Sequence, residues 1–357
     1  MSGYGIRKSL ILPLAIGVGL VFSAGLTTRC LAEEANKDEK KPLIVGKWYP
    51  GLEAGLAFTQ GTYTANWVGG DKGSIIWSLI ANGTLESQLN PKSNWRNTLK
   101  LAFGQTHQQK ADPSGVRYWE TPQKSTDLID FESLFRLTLG GFVDPFASIA
   151  YQSQFQDASD VAGRKLTLNP MQFKESAGIA RKIVDTEERA LLSRFGFAFR
   201  QSSRRSFTEA APSTSTKSDM TNDGGIEWVT DYKSKILEKR ISWTSKFTAY
   251  QPVFYSGKTD LNGLTGAYLT AQRIDPDVAS LSTRVSADWE NMWTSQITKI
   301  ISVNLYTRWI YDAYDNTVKP IAAAGGGLAN PEMVRGAVRR AGQFKETLSI
   351  GLTYRFL

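Results

Sequence analysis

Cysteine and histidine are almost missing from this chain of 357 residues, which holds one of each. Cys30 falls in an N-terminal segment with the features of a secretory signal, so we expect the mature chain to have no cysteine. Disulfides, thiol catalysis and cysteine metal sites are then excluded together. His107 has no second histidine for a shared metal ion, and the serine close downstream of it, Ser114, lies in a predicted loop. The sequence therefore predicts no catalytic residue, metal ligand or cofactor site, and we do not expect an enzyme.

Long hydrophobic runs are confined to the N-terminus. Arg7 and Lys8 precede an apolar stretch over 10–26, and small residues follow at Cys30–Ala32. This order of a basic, an apolar and a small-residue region is that of a cleaved signal peptide. An uncleaved helical anchor is the alternative, which the proline and glycines within the stretch disfavour.

An excess of charge of one sign is also lacking. The formal net charge is +8, and loss of the signal with its three basic residues would lower it to +5. So small an excess is weak evidence for nucleic acid binding, and we expect no nucleic acid partner. A charged stretch without apolar periodicity follows the signal. We therefore divide the chain into a signal peptide at 1–32, a flexible charged periplasmic tail at 33–47 and one folded domain at 48–357.

Apolar and polar residues alternate along most of this domain. A period of two is typical of strands, and most of the segments exceed the roughly 5–6 residues of an ordinary strand. They reach the roughly 9–11 residues that a strand needs to cross a membrane. The twelve predicted strands cover 50–60, 73–89, 93–107, 125–139, 145–157, 167–183, 187–202, 222–236, 239–254, 280–293, 296–312 and 342–357.

Short and long connections follow one another in strict alternation between these strands. Outer-membrane barrels have this pattern, with short periplasmic turns and longer external loops. An even number of strands places both chain ends in the periplasm. The sequence therefore predicts a single antiparallel up-and-down transmembrane β-barrel of twelve strands, located in the outer membrane. The long connections are predicted at 61–72, 108–124, 158–166, 203–221, 255–279 and 313–341.

The two faces of the predicted strands differ in polarity. The apolar face is assigned to lipid, and aromatic residues, 11% of the chain, gather near strand ends as interfacial girdles require. Asp130 and Glu132 share the polar face, as an acid pair or as part of an ion-pair ladder. The lack of a nucleophile beside them favours the ladder. The residues assigned to the lumen are Arg96, Lys100, Asp130, Glu132, Arg136, Arg194, Arg200, Lys246, Arg284, Asp288, Glu290, Arg308, Asp312 and Arg355.

The chain ends on an alternating, aromatic-rich segment, GQFKETLSIGLTYRFL. In a bilayer every backbone polar group needs a partner within the protein, so the last strand has to pair with the first. The segment also resembles the C-terminal signal that barrel-assembly machinery recognises. We therefore expect two partners, the outer-membrane lipid and that machinery during biogenesis.

The stretch YTANWVGGDKGSIIWSLIANGTLE resembles the start of an uncharacterised outer-membrane family, catalogued as a domain of unknown function, DUF3078. WRNTLKLAFG and the closing FKETLSIGLTYRF resemble the same family. The resemblance implies a β-barrel without an assigned activity. The motif loop itself is either turn chemistry or a binding loop for a ligand or partner. Its residues are Asn66, Trp67, Gly69, Gly70 and Asp71.

Two functions remain open at this point. Basic residues modestly outnumber acidic ones on the inward face, which predicts a narrow pore or passive transporter for small solutes with weak anion preference. The alternative is a closed or plugged barrel that acts as a binding or structural protein through its long external loops. The sequence does not indicate which solute or external ligand is involved.

Overall fold

The computed structural model describes residues 43–63 and 72–356. The predicted signal at 1–32, the first ten residues of the predicted tail, and the motif loop with Asn66, Trp67, Gly69, Gly70 and Asp71 lie outside this part of the chain.

Twelve long strands make up the described domain. They have the alternating pattern that predicts strands, and most run past the membrane-crossing minimum of roughly 9–11 residues. Their bounds are β1 Trp48–Gly61, β2 Ser74–Asn90, β3 Ser93–Ala111, β4 Gln123–Leu137, β5 Asp144–Ser153, β6 Met171–Asp185, β7 Arg189–Phe207, β8 Thr216–Ile236, β9 Ile241–Tyr255, β10 Ser286–Gln296, β11 Ile301–Tyr311 and β12 Gln343–Arg355.

The strands close into one antiparallel barrel. Each strand pairs with its neighbours in chain order, and β12 pairs with β1, from Glu53 opposite Arg355 to Ala57 opposite Gly351. The predicted twelve-stranded antiparallel barrel is therefore confirmed. The five short connections lie at one end, which we call the turn end, and the six longer ones at the other, which we call the loop end. That the chain ends face the periplasm stays a prediction.

Several predicted boundaries at the loop end were wrong, and two of these errors affect a connection. The tenth strand was expected from 280, but a helix occupies Val278–Leu281 and β10 begins at Ser286. The long loop expected at 203–221 is short, because β7 continues to Phe207 and β8 begins at Thr216. The added ends of β7 and β8 carry mostly polar residues, so apolar alternation could not reveal them, whereas apolar residues of the helix mimicked a strand end before β10.

The outer face of the barrel is apolar and the inner face is polar. Leu79, Phe195 and Phe197 are about half exposed on the outside, while Arg194 and Ser202 are buried inside. Outward tryptophans satisfy their indole N–H groups on the next strand, as an apolar surrounding requires. These indole nitrogens donate to serine Oγ atoms: Trp95 to Ser133 at 2.8 Å, Trp228 to Ser193 at 2.8 Å and Trp289 to Ser245 at 3.0 Å.

The two longest connections, 256–285 and 312–342, form what we call the cap. It holds four short helices: α1 Lys258–Asn262, α2 Gly266–Ala271, α3 Val278–Leu281 and α4 Pro331–Ala337. None of the helices in the described chain has the length and apolar character to cross a membrane. The cap has its own apolar core, which gathers Tyr255, Leu261, Leu269, Ile274, Val278, Leu281, Ala313, Tyr314, Val318, Leu328, Val334 and Ala337.

Candidate functional site

An ion pair crosses the lumen of the barrel. Lys100 on β3 reaches Glu290 on β10, with 2.8 Å between Nζ and Oε2. The two strands lie five positions apart around a ring of twelve, so the side chains meet across the interior rather than along one wall. Both residues were predicted to line the lumen. Their contact narrows the axial path between β3 and β10.

Glu132 on β4 forms a second crossing. One carboxylate oxygen accepts from Arg194 Nη1 on β7 at 2.6 Å, and the other lies 3.4 Å from Lys246 Nζ on β9. Arg194 also reaches Asp231 on β8, at 3.3 Å between Nη2 and Oδ2. A carboxylate that accepts from two cations on different strands ties three parts of the wall together. We call these four residues with Lys100 and Glu290 the charged layer.

A further set of paired charges lines one side of the lumen toward the loop end. Lys174 on β6 pairs with Glu227 on β8, and Ser176 Oγ donates to the same carboxylate at 3.1 Å. Nearer the loops, Asp223 accepts from Arg200 Nε at 2.7 Å and from the Tyr250 hydroxyl at 2.6 Å. These inward charges are therefore matched by partners of opposite sign or by hydroxyl donors.

Four more predicted lumen residues pair close to their own strand. Arg308 on β11 makes a bidentate contact with Asp288 on β10, at 2.9 and 2.6 Å. Asp130 accepts from Gln152 Nε2 at 2.8 Å. Arg136 is buried near the turn end, where its Nε lies 3.8 Å from an Asp144 carboxylate oxygen and makes no hydrogen bond.

Two predicted positions do not line the strand interior as expected, and the prediction for a third stays open. Arg284 is exposed in the turn between α3 and β10, where its Nη1 lies 3.5 Å from the Tyr311 hydroxyl, because the tenth strand starts later than predicted. Asp312 follows the last residue of β11 and belongs to the cap junction. Arg355 is the last residue of β12, and its side chain lies outside the described part.

Sequence reasoning missed Lys174, Asp223 and Glu227. Asp223 and Glu227 share the face of Asp231, at steps of four along β8, so extending the period-two alternation would have found both. Lys174 lies in the sixth strand, whose pattern Pro170 interrupts just before β6 begins. No local signal in the sequence pairs Lys174 with Glu227, because strand pairing places them together.

The cap is bound to the inner wall of β7 and β8. Arg204 Nη2 on β7 donates to Thr317 Oγ1 at 2.6 Å and lies 3.3 Å from an Asp315 carboxylate oxygen. Thr221 on β8 donates to the Asn316 carbonyl at 2.7 Å. Since this segment starts at the end of β11, three positions from β8 and four from β7, it extends across the mouth of the lumen. The cap therefore covers that side of the loop end.

Two carboxylates at the junction of cap and barrel have shifted pKa values. Burial and repulsion from Asp315 raise the pKa of Asp312 to about 6, against a smaller opposing effect of Arg200 and Arg339. For Asp315, burial acts upward, but the nearby Arg204 and Arg339 outweigh it, so the pKa of that carboxyl lies below its ordinary value. At this junction the ionised form of Asp315 is thus stabilised, whereas Asp312 is costly to ionise.

The described residues offer little for other chemistry. No group of three or more potential metal ligands comes together among them. His107 pairs with Ile75 on the outer face near the loop end, and Ser114 lies in a turn whose amide donates to Asp112. A cavity of about 510 Å³ opens on the outer wall of β4–β7, lined by residues such as Phe135, Ile149 and Phe199.

Fold and interior together define a closed twelve-stranded antiparallel β-barrel with an apolar outer face and a charged lumen, the class that includes outer-membrane barrels. The sequence profile of a family described as "Protein of unknown function (DUF3078)" matches residues 58–158. This match, which runs from the end of β1 past β5, confirms the predicted resemblance over 66–140. The resemblance of the closing strand lies outside the matched stretch and stays a prediction.

Solved barrels are similar to this chain at a distance. An outer membrane channel from Pseudomonas putida F1 shares 11% identity over 90% of this chain and 98% of that one, with a TM-score of 0.37. The beta domain of the Bordetella autotransporter BrkA shares 9% identity over 86% of this chain and 98% of that one, with a TM-score of 0.32. The translocator domain of autotransporter NalP from Neisseria meningitidis shares 6% identity over 87% of this chain and 88% of that one, with a TM-score of 0.34. No curated protein matches. The fold assignment rests on this chain's own strand pairing.

Proposed function

We propose that this protein is an integral outer-membrane barrel that is closed to diffusion along its axis and acts through its loop end. The apolar outer face supports insertion in a bilayer, since residues such as Leu79 and Phe197 stand about half exposed there. Burying such surface in lipid rather than water is favourable at about 25 cal/mol per Å². Outer-membrane lipid and the assembly machinery remain the proposed partners, and catalysis is not part of the proposal.

The observation that carries closure is the charged layer. Lys100 and Glu290 meet from strands five positions apart, and Glu132 binds cations from two further strands. The cap adds a second obstruction at the mouth. Closed or plugged barrels were the alternative reading of the sequence, and this geometry favours them over a narrow pore.

The ion pairs of the charged layer also weaken the basis for anion preference. That preference relied on inward arginines and lysines acting as free positive charges. In the structure Lys100, Arg194, Lys246 and Arg308 each have a carboxylate within 3.4 Å. A paired cation attracts a passing anion far less than a free one.

Single-channel recording in a planar bilayer tests the proposal. We expect the wild-type protein, shown to be folded by heat-dependent gel mobility, to give no steady conductance. Lys100→Met with Glu290→Gln removes the crossing contact and should permit small openings.

The matched control is Arg308→Met with Asp288→Asn, which removes the same charges from a pair on neighbouring strands. It should stay silent. Steady anion-selective steps from the wild type would instead support the pore.

A further inference from the structure

The seam between the first and last strands is only partly closed. β1 and β12 share five residue pairs, whereas β1 and β2 share fourteen and β11 and β12 share ten. Within the described residues, Phe58–Gly61 pair only with β2 and most of Gln343–Ile350 only with β11. The seam is therefore paired at the turn end and open at the loop end.

Both faces of the open part of β12 are accessible. On the outer face Leu348 and Ile350 are 68% and 65% exposed, above the 49–54% of Phe195 and Phe197 on the fully paired β7. On the inner face Lys345 and Thr347 are exposed as well. Unpaired backbone at membrane depth is tolerated where it is buried in protein or lines a water-filled cavity. The exposed inner side chains of Lys345 and Thr347 indicate accessible space on the lumen side of the open seam.

The inner wall beside this opening carries no charge. Ile76 and Ile80 on β2 face inward, and Ile76 is 43% exposed there. Register places Ala102 opposite Ile80 and Leu128 opposite Ala102, so these apolar side chains form one row across three strands. We call the inward residues of this region the uncharged wall: Gly55, Ala57, Thr59, Ile76, Ser78, Ile80, Ala102, Gly104, Thr106, Thr126 and Leu128.

One cation stands at the edge of the uncharged wall. Lys345 lies on β12, four strand positions from β4, and its Nζ lies 3.4 Å from Thr126 Oγ1 on β4. Among the described residues no carboxylate lies within ion-pair distance of it. Its cross-strand neighbour Arg308 is already paired with Asp288. Lys345 is thus a positive charge beside an apolar surface, with only a threonine hydroxyl as partner.

We propose that the open seam and the uncharged wall form a binding site for an anionic amphiphile with an acyl chain, which enters sideways from the membrane. The acyl chain lies along Ile76, Ile80 and Leu128, and the head group is bound by Lys345. Charge and polarity select this occupant, because a lone cation favours an anion and the row of Ile76, Ile80, Ala102 and Leu128 offers a chain only apolar contacts. The proposal rests on membrane insertion and extends the proposed function, since the charged layer leaves entry through the wall as the open route.

Photolabelling of the protein in phosphatidylethanolamine nanodiscs tests the site. The probe is a diazirine-bearing long-chain fatty acid, with sites mapped by mass spectrometry. We expect saturable labelling of the inward residues Thr59, Ile76 and Ile80, displaced by unlabelled oleate. Lys345→Met should weaken the affinity for the acid probe about tenfold, as loss of a charge-assisted hydrogen bond predicts. The same variant should not change labelling by the methyl ester of the probe.

Arg96→Met is the matched control, an inward arginine near the turn end. It should leave labelling unchanged. Equal labelling by acid and ester, or no effect of Lys345→Met, would overturn the head-group assignment. Labelling confined to outward residues would overturn the site.

Closing the seam provides a second test. Continuing the β1–β12 register places Thr59 opposite Ser349, so Thr59→Cys with Ser349→Cys, in a Cys30→Ser background, allows a short bis-maleimide to bridge the opening. Inward labelling should then be lost. Asn304→Cys with Ser349→Cys bridges β12 to its existing partner and should leave labelling intact.

Persistent labelling in the bridged protein would contradict lateral entry. Heat-dependent gel mobility shows whether each variant is folded and inserted, so failure of the proposed membrane barrel is seen separately from failure of this site.

Discussion

Neighbouring residues of one strand face opposite media in this barrel. Leu79 on β2 is 52% exposed on the outer face, while Ser78 is half-buried on the inner face. We expect Leu79→Arg to impair assembly, because an arginine facing lipid near the midplane costs about 2–4 kcal/mol. Ser78→Arg should assemble, since its side chain meets the lumen. Heat-dependent gel mobility after refolding into vesicles measures both, and the opposite order would reverse the assignment of the two faces.

The charged layer depends on a few buried side chains. Arg194 is 3% exposed and binds both Glu132 and Asp231. Arg194→Met should lower the free energy of unfolding by about 3–5 kcal/mol, because it leaves buried carboxylates with fewer partners. Urea unfolding followed by tryptophan fluorescence measures the change. Arg96→Met, which alters an inward arginine outside the layer, should change it far less, and equal losses would contradict this account.

Asp312 should make the cap sensitive to pH. Burial and the neighbouring Asp315 raise its pKa to about 6, above the ordinary value of about 3.9. The contribution of Asp312 to the stability of the folded cap is complete at a pH below the ordinary pKa, and it is lost as the pH rises through 6. We expect proteolysis within 312–342 to speed up between pH 5 and pH 7.5. Asp312→Asn should flatten this dependence, and an unchanged pH profile in that variant would assign the effect to another group.

At the level of elements, the alternation of apolar and polar residues predicts the strands within the apolar belt and little else. The strands within the apolar belt follow from period two, since one face meets lipid and the other water. Thr216–Thr221 escaped prediction because that part of β8 lies beyond the belt, where both faces are polar. Arg284 was placed on a strand because helix α3 precedes it with apolar residues that mimic a strand end. Pairing across the lumen, as between Lys100 and Glu290, depends on closure and leaves no local pattern.

The cap should unfold separately from the barrel. Leu261 on α1 is 1% exposed within the apolar core of the cap. Leu261→Ala should destabilise the cap by about 2–5 kcal/mol through the cavity it leaves, while the strand ladders persist. Hydrogen exchange should therefore quicken in 256–285 and 312–342 and not in β1–β12. Thr259→Ala on the exposed face of the same helix is the control, and faster exchange throughout the barrel would argue against an independent cap.

At the scale of the whole molecule, the lumen is obstructed at two depths. The cap crosses the mouth and is held by Arg204 and Thr221. The charged layer lies deeper, between Lys100, Glu132 and their partners. Because the two obstructions share no residue, the charged layer should close the axis without the cap, and the cap alone should only restrict it.

This independence leads to a prediction about removing the cap. With 258–283 and 314–340 each replaced by a short Gly–Asn–Gly turn, the twelve strands keep their ladders and the barrel should still assemble. Planar-bilayer recordings should remain silent, since the charged layer is intact. Adding Lys100→Met and Glu290→Gln to the capless protein should give larger and longer openings than the same pair in the full chain. Conductance from the capless protein alone would mean that the cap, and not the charged layer, closes the barrel.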